Sequence, residues 1–314
     1  MSSRVSDPDH TDRPRAGRSL WLRFAIVSSA VIVIAASLLI TSFFVSDGSP
    51  ILASAGGTDS TSGKPLTVAL ARTPGGSLEW RTFAVAIHRM GRAVGRPMRL
   101  RYVESSAEMT DLLLKGEVDA AFTCTYCYLQ VAGRPGVALV AAPEIAGHVK
   151  EAAVLVVRED SRYGSLEDLR GRNVGVTGAT SLAGNAYLLW LAELEGLGSA
   201  DPLVLVQADS QEESIRALLA EEVEAVVVNR SQLASWRGAG IRVIATSPEF
   251  GMPPFVTGPT VGAGTRDLMQ RALLTMRPSS EVTPTSIEGF TVPRDADYEF
   301  ARTLATYIRT GGTE

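Results

Sequence analysis

Cysteine is nearly absent from this 314-residue chain, with only Cys124 and Cys127, so disulfides do not build its scaffold. Histidine is almost as scarce. His10, His88 and His148 are scattered, and a metal site at the cysteine pair would want two more ligands. A basic surplus is missing too: 30 Lys and Arg stand against 34 Asp and Glu, for a formal net charge of -4. A nucleic-acid binder usually carries such a surplus, so no nucleic-acid partner is expected. No Ser-His-Asp order, phosphate-cradling P-loop or HExxH helix occurs. That argues against an enzyme, and no cofactor is expected. What remains is ordinary globular composition, 45% hydrophobic and 20% charged.

The first positive feature is an uncharged run, Phe24–Val45, reading FAIVSSAVIVIAASLLITSFFV. A bilayer core needs roughly 20 apolar residues in a helix, and this run supplies them. Arg4, Arg13, Arg15, Arg18 and Arg23 precede it, whereas Asp47 and Asp59 follow, with no cation until Lys64. Arginine excess marks the cytoplasmic side, which places the rest of the chain outside. A buried core helix this long would carry a polar face, and this run has none. Two readings stay open. Ala53-Ser54-Ala55 resembles a small-residue cleavage site, but the run exceeds the roughly 7–15 residues of a signal h-region, which favours a retained anchor. No cysteine directly follows the run to take a lipid. The expected product is extracytoplasmic, either held on the membrane by this helix or secreted after cleavage.

Residues 1–23 read as a polar cytoplasmic segment, 24–45 as the anchor or h-region, and the Gly/Ser/Thr-rich 46–64 as a flexible tether. From Leu66 onward strands and helices alternate. Strands are expected at Leu66–Ala71, Met98–Val103, Val118–Thr123, Val137–Ala142 and Ala152–Arg158, the last apolar throughout as if covered on both faces. A second set is expected at Asn173–Thr177, Pro202–Val206, Ala225–Asn229 and Ile241–Thr246. Helices are expected at Leu78–Val94, from a Ser106 cap to Lys115, from Ser165 to Leu169, at Ser181–Glu195, at Ser210–Ala220 and at Ser231–Trp236. This order predicts mostly parallel sheets with helices on both faces. Two late helices, Thr265–Met276 and Ala296–Ile308, have no strand set of their own and are expected to return to the first lobe. Lobe 1 is then 66–156 with 247–314, and lobe 2 is 157–246. Two crossings, near Val156 and near Ala245, would form a hinge.

Three segments carry a family resemblance: GEVDAAFTCTYCY at Gly116–Tyr128, AAVLVVREDSRYGSLEDLRGRNVGVTGATSLAG at Ala152–Gly184, and SQEESIRALLAEEVEAVVVN at Ser210–Asn229. With the late Gly289-Phe290 and Asp297-Tyr298, they resemble the phosphate/phosphite/phosphonate-type substrate-binding proteins of ABC transporters, over roughly Leu66 to Ile308 in order. The resemblance implies an α/β, two-lobed type II periplasmic-binding-protein fold with a hinge. It also implies a small solute held between the lobes, and an ABC permease and ATPase as partners.

The loop Gly178-Ala179-Thr180-Ser181 follows a strand and opens a helix, where free N–H groups and the dipole attract anions. Thr180 and Ser181 add hydroxyls, and the resembled family places phosphonate oxygens at such a turn. Ser181 also suits a plain cap, and the two roles can coexist. Ser210 and Gln211 open the next helix, where the family usually has Ser-His. Asn229 stands where the family has an acid. Both departures leave a site able to hydrogen-bond a neutral or weakly anionic solute. Tyr126 and Tyr128 offer an aromatic wall, with Tyr128 favoured for the site by resemblance. Arg72, after the first strand, is a candidate positive charge at the strand-end crevice. Cys124-Thr125-Tyr126-Cys127 is a CxxC, open to three readings: buried or structural cysteines, a labile disulfide, or redox catalysis. The expected function is solute delivery to an ABC permease, with a membrane-anchored ligand sensor and a thiol oxidoreductase as the alternatives.

Overall fold

The computed structural model describes residues 63–71, 79–197, 202–276 and 287–308, all within the unit Leu52–Glu314. The predicted anchor, Phe24–Val45, lies outside the described residues, as do most of the tether and Arg72. Among the described residues no helix is long and apolar enough to cross a membrane.

The chain runs β1 (Leu66–Ala71), α1 (Glu79–Val94), β2 (Met98–Val103), α2 (Ser106–Leu114), β3 (Ala120–Phe122), α3 (Thr125–Val131), β4 (Ala138–Ile145), β5 (Lys150–Glu151) and β6 (Ala153–Arg158). After a 3-10 turn at Glu167–Leu169 come β7 (Asn173–Val176), a π-helical turn at Leu182–Ala186 and α4 (Tyr187–Leu194). Then follow β8 (Val204–Gln207), α5 (Gln211–Leu219), β9 (Ala225–Asn229), a 3-10 stretch at Arg230–Trp236 and β10 (Ile241–Thr246). The return consists of β11 (Phe250–Gly251), β12 (Phe255–Thr257), α6 (Ala263–Leu274), β13 (Ile287–Thr291), a 3-10 turn at Asp295–Tyr298 and α7 (Glu299–Ala305).

Two sheets form the two lobes of an α/β fold. The first has the order β13-β4-β12-β3-β1-β2, the second β10-β6-β9-β7-β8. Alternation decides which face each strand residue covers. In the first sheet Val68, Ala120 and Phe122 meet α1 and α6 through Ile87, Met90, Met269 and Leu273. Ala69 and Ala121 face the other way, toward Met109, Leu113 and Tyr128 of α2 and α3. Strand β6 is buried on both faces, as its unbroken apolar run predicts. Val154 and Val156 pack on Ile215 and Leu218 of α5, whereas Leu155 and Val157 join the core containing Leu182 and Tyr187.

Several expectations need correction. The sheets are mixed rather than mostly parallel. β1 pairs parallel with β2 and β3, and β7 with β8 and β9, but β6 runs antiparallel to β9 and β10. The returning chain does bring strands: β12 inserts antiparallel between β3 and β4, and β13 pairs with β4 at the edge. A chain that re-enters a sheet from the far lobe arrives in the reverse direction, which gives the antiparallel pairings. Val156 and Ala245 sit inside paired strands of the second sheet. The passage between sheets occurs where β5 and β11 pair antiparallel, Glu151 with Phe250 and Lys150 with Gly251. The first cap is Ser105, one residue earlier than expected. Its backbone is extended and its hydroxyl accepts from Glu108 N.

Candidate functional site

A cavity of about 140 Å³ opens between the lobes at the ends of β3, β7 and β9. Cys124, Thr125 and Tyr126 line it from the first lobe, Thr180 to Ala183 and Asn229 from the second, and Glu151, Phe250 and Pro253 from the crossing. Strand ends turn from sheet to loop here, so short polar side chains and unpaired backbone groups converge. Drug-sized ligands use roughly 300–1,000 Å³, so this space suits a solute of few non-hydrogen atoms.

On the second-lobe wall, β7 ends at Val176 and the chain turns through Gly178–Ser181 into the π turn. Ser181 is the cap: its backbone is extended, and its Oγ accepts from Gly184 N at 3.0 Å. Thr177 N donates to the Gly184 carbonyl at 2.8 Å, so Gly184 clasps the strand end to the helix start. A single π turn inside a helix often marks a functional site. First-turn N–H groups lack a carbonyl inside the helix to bond, and Leu182 and Ala183, which hold two of them, line the cavity.

On the first-lobe wall, Cys124 and Cys127 are joined in a disulfide. Cys124 caps α3, its sulfur accepting from Cys127 N at 3.0 Å. Between the cysteines, Thr125 Oγ1 donates to the Gly251 carbonyl at 3.0 Å, tying α3 to the crossing, while Tyr126 reaches the cavity.

Of the two candidate tyrosines, Tyr126 lines the cavity and Tyr128, favoured by the resemblance, does not. Tyr128 is buried in the core, its ring tilted against that of Tyr298 with centroids 4.6 Å apart, and its hydroxyl donates to Asp295 Oδ1 at 2.6 Å. Burial, with this carboxylate partner second, pushes its phenol above the usual range. The hydrogen bond from Tyr128 holds the Asp295 carboxyl below its usual range. Two helical residues two apart point about 200° apart, so only one tyrosine can face the cavity. The spacing of Tyr128 and Val131 on the buried face was the available signal.

Thr180, Ser181, Tyr126 and Asn229 thus come together. Gln211 stands behind Asn229, its Oε1 accepting from Asn229 N at 2.8 Å, and does not line the cavity. Ser210 is a cap, accepting from Glu213 N at 3.1 Å, and is also outside the lining.

Sequence reasoning missed Glu151 altogether. The residue is among those that line the cavity, although it is only 3% exposed. Oε1 accepts from Ala152 N at 3.0 Å and Ser231 N at 3.2 Å, and Oε2 accepts from Ser231 Oγ at 2.5 Å. Burial pushes its carboxyl above the ordinary range, opposed by these hydrogen bonds and by Arg230. Between the ordinary and the raised value, the folded state therefore keeps a proton that the unfolded chain has released. Stability should fall as pH rises from the ordinary carboxylate range through the raised value. Glu151→Gln lacks that loss, so its stability relative to the parent should improve as pH rises. Urea midpoints measured across pH check this, and a pH-independent difference would contradict it.

The comparisons with known proteins agree with this geometry. A family model described as the phosphonate periplasmic substrate-binding protein of ABC transporters matches residues 81–298. PhnD1 from Prochlorococcus marinus, in complex with methylphosphonate, superposes with a TM-score of 0.62 at 12% identity, covering 77% of this chain and 97% of its own. XAC2383 from Xanthomonas citri, bound to chloride ion, gives 0.60 at 16% identity, covering 78% and 97%. The binding protein component of an ABC phosphonate transporter from Pseudomonas aeruginosa, PA3383, gives 0.57 at 13% identity, covering 76% and 85%. No curated protein matches the sequence. At these identities the structures establish the fold, while the family match spans well over half of the chain: it belongs to the phosphonate-type periplasmic substrate-binding proteins of ABC transporters.

Proposed function

We propose that the chain captures a small phosphonate-like or related polar solute in the cavity between Tyr126 and the Thr180–Ser181 turn, and delivers it while tethered to the membrane through Phe24–Val45. Membership of the family makes it a transporter's binding protein, not an enzyme, with a small-molecule ligand and a permease and ATPase as partners. That sets aside the thiol oxidoreductase reading. The observation that carries the ligand site is the helix start at Ser181, whose first-turn N–H groups belong to cavity-lining residues. Asn229 extends this polar wall, and Tyr126 closes it from the other lobe. Support for a phosphonate-like solute comes from the family and from the methylphosphonate held by PhnD1. Support for the tether is the apolar run and its flanking charges.

A thermal-shift screen of phosphonates, sulfonates, inorganic oxyanions and small amides should identify a binder. A solute at about 100 times its dissociation constant adds about 2.7 kcal/mol of stability. Thr180→Ala/Ser181→Ala should then weaken that binder by roughly tenfold or more, from two lost hydrogen bonds. The cap alone predicts a loss of about 1 kcal/mol in stability with affinity unchanged. Calorimetric titration and thermal unfolding of the same variant separate the outcomes. Unchanged affinity would remove the solute from this turn.

A further inference from the structure

Charge is segregated along this chain. From Lys64 to Val103 there are eight Lys and Arg and one acid, Glu79, whereas Glu104–Glu314 holds 17 Lys and Arg against 28 Asp and Glu. The fold gathers much of the cationic excess at one end of the first lobe. Strands β1 and β2 run parallel, with Leu66 beside Met98, so the connecting α1 must run back between them. Its last turns bring Arg89 and Arg92 toward the strand starts, where Lys64 and Arg99 also lie.

Lys64, Arg89, Arg92 and Arg99 are exposed, and none of them makes an ion pair among the described residues. Arg101, further along β2, meets Glu108 at 4.0 Å. Arg96 is spent on the backbone: its Nε and Nη2 donate to the Lys64 carbonyl at 2.9 and 2.6 Å. That bond fastens the start of the lobe to the turn between α1 and β2. Unpaired like charges gathered in one region repel one another, and an anionic partner relieves the repulsion.

Position selects the partner. The cations surround the point where the chain enters the lobe. Eighteen residues, 46–63, separate that point from the apolar run Phe24–Val45. A Gly/Ser-rich linker of this length spans about 25 Å, so a bilayer surface is within reach. The cations are also spread over a helix and two strand starts, which suits an array of phosphate headgroups better than one small anion. Finally, they sit at the strand starts, while the cavity lies at the strand ends, so a partner here leaves the cavity clear.

We infer that this basic end of the first lobe rests on a membrane surface bearing anionic phospholipids, and so holds the tethered domain in one orientation. The inference rests on the membrane-tether reading and adds the surface through which the domain meets the bilayer.

Full-length protein reconstituted with vesicles of phosphatidylcholine, alone or mixed equally with phosphatidylglycerol, tests it. A donor fluorophore on Ala93→Cys, exposed beside Arg92, reports distance to headgroup-labelled acceptor lipid. Labelling is selective because Cys124 and Cys127 are already joined. Energy transfer should be higher with phosphatidylglycerol and should return to the phosphatidylcholine value at about 1 M salt, where the screening length is about 3 Å. Arg89→Gln/Arg92→Gln/Arg99→Gln should weaken the attraction by roughly a hundredfold, at about fivefold per charge, and abolish the rise. Equal transfer in both vesicles, or a rise that survives the three substitutions, would overturn the proposal and leave this face to a protein or a soluble polyanion. Flotation of the vesicles separates the inference from the tether. A parent chain that floats only with phosphatidylglycerol, and ceases to do so in the substituted variant, would end the tether reading and leave the inference standing. Flotation with neither vesicle, or flotation only with phosphatidylglycerol that the variant keeps, would end both.

Discussion

Gly184→Ala is expected to weaken solute binding by roughly a hundredfold, the equivalent of two or three lost hydrogen bonds, without unfolding the protein. A Cβ at this position would overlap Thr177 Oγ1 and would lie 2.8 Å from Ser181 Oγ. Both neighbours are held. Thr177 is 6% exposed, and its N–H donates to the Gly184 carbonyl. Ser181 Oγ accepts from the Gly184 N–H. The strand end and the helix start must therefore part, and Leu182 and Ala183 move with the helix. Overpacking of this kind costs about 1–3 kcal/mol, which a domain of this size can survive. Thr177→Ala/Gly184→Ala removes the worst overlap and should recover part of the affinity. Titration of both variants with the binder from the screen checks this. Parent-like affinity in Gly184→Ala would mean that the Ser181 turn does not hold the solute.

The same neighbourhood shows what the sequence could and could not reveal. Strands β1, β2, β9 and β10 match their expected limits to the residue, because each is a bounded run of β-formers. The caps at Ser181 and Ser210 are also as expected, since a serine before a helical pattern has a local cause. The short strands β5, β11 and β12 left no trace. Two or three residues cannot display a period, and their pairing depends on partners that are distant in sequence, such as Phe250 with Glu151. Glu151 was illegible for the same reason. A single acid beside an apolar run reads as a solvated strand end, and only the fold puts Ser231 and the cavity against it. Tyr128 was misplaced because the resemblance outweighed the helical spacing that puts it on the buried face of α3.

Tyr298→Ala should be the most damaging single change in the described fold. The ring is fully buried and packs tilted against Tyr128 at 4.6 Å between centroids. Its hydroxyl donates to the Met252 carbonyl at 2.9 Å, just past β11. The ring also lies so close to Gly251 that a Cβ there would overlap Cε1 and stand 2.8 Å from Cδ1. One residue earlier, Asp297 pairs with Lys150 of β5 at 2.9 Å. The turn at Asp295–Tyr298 therefore clamps both strands of the crossing, and those strands carry Glu151 and Phe250 into the cavity. Truncating a buried aromatic costs about 3–5 kcal/mol, and at about 2–4 °C per kcal/mol the melting temperature should fall by roughly 10 °C. Tyr298→Phe keeps the ring and leaves the Met252 carbonyl without its donor, a loss of about 1–3 kcal/mol. The order of melting temperatures should be parent, Phe, Ala. Affinity should follow the same order, measured well below each melting temperature, because the crossing sets the positions of Glu151 and Phe250. A Tyr298→Ala variant that melts like the parent would show that the C-terminal turn does not hold the crossing. A destabilised variant with unchanged affinity would show that the cavity keeps its shape without that clamp.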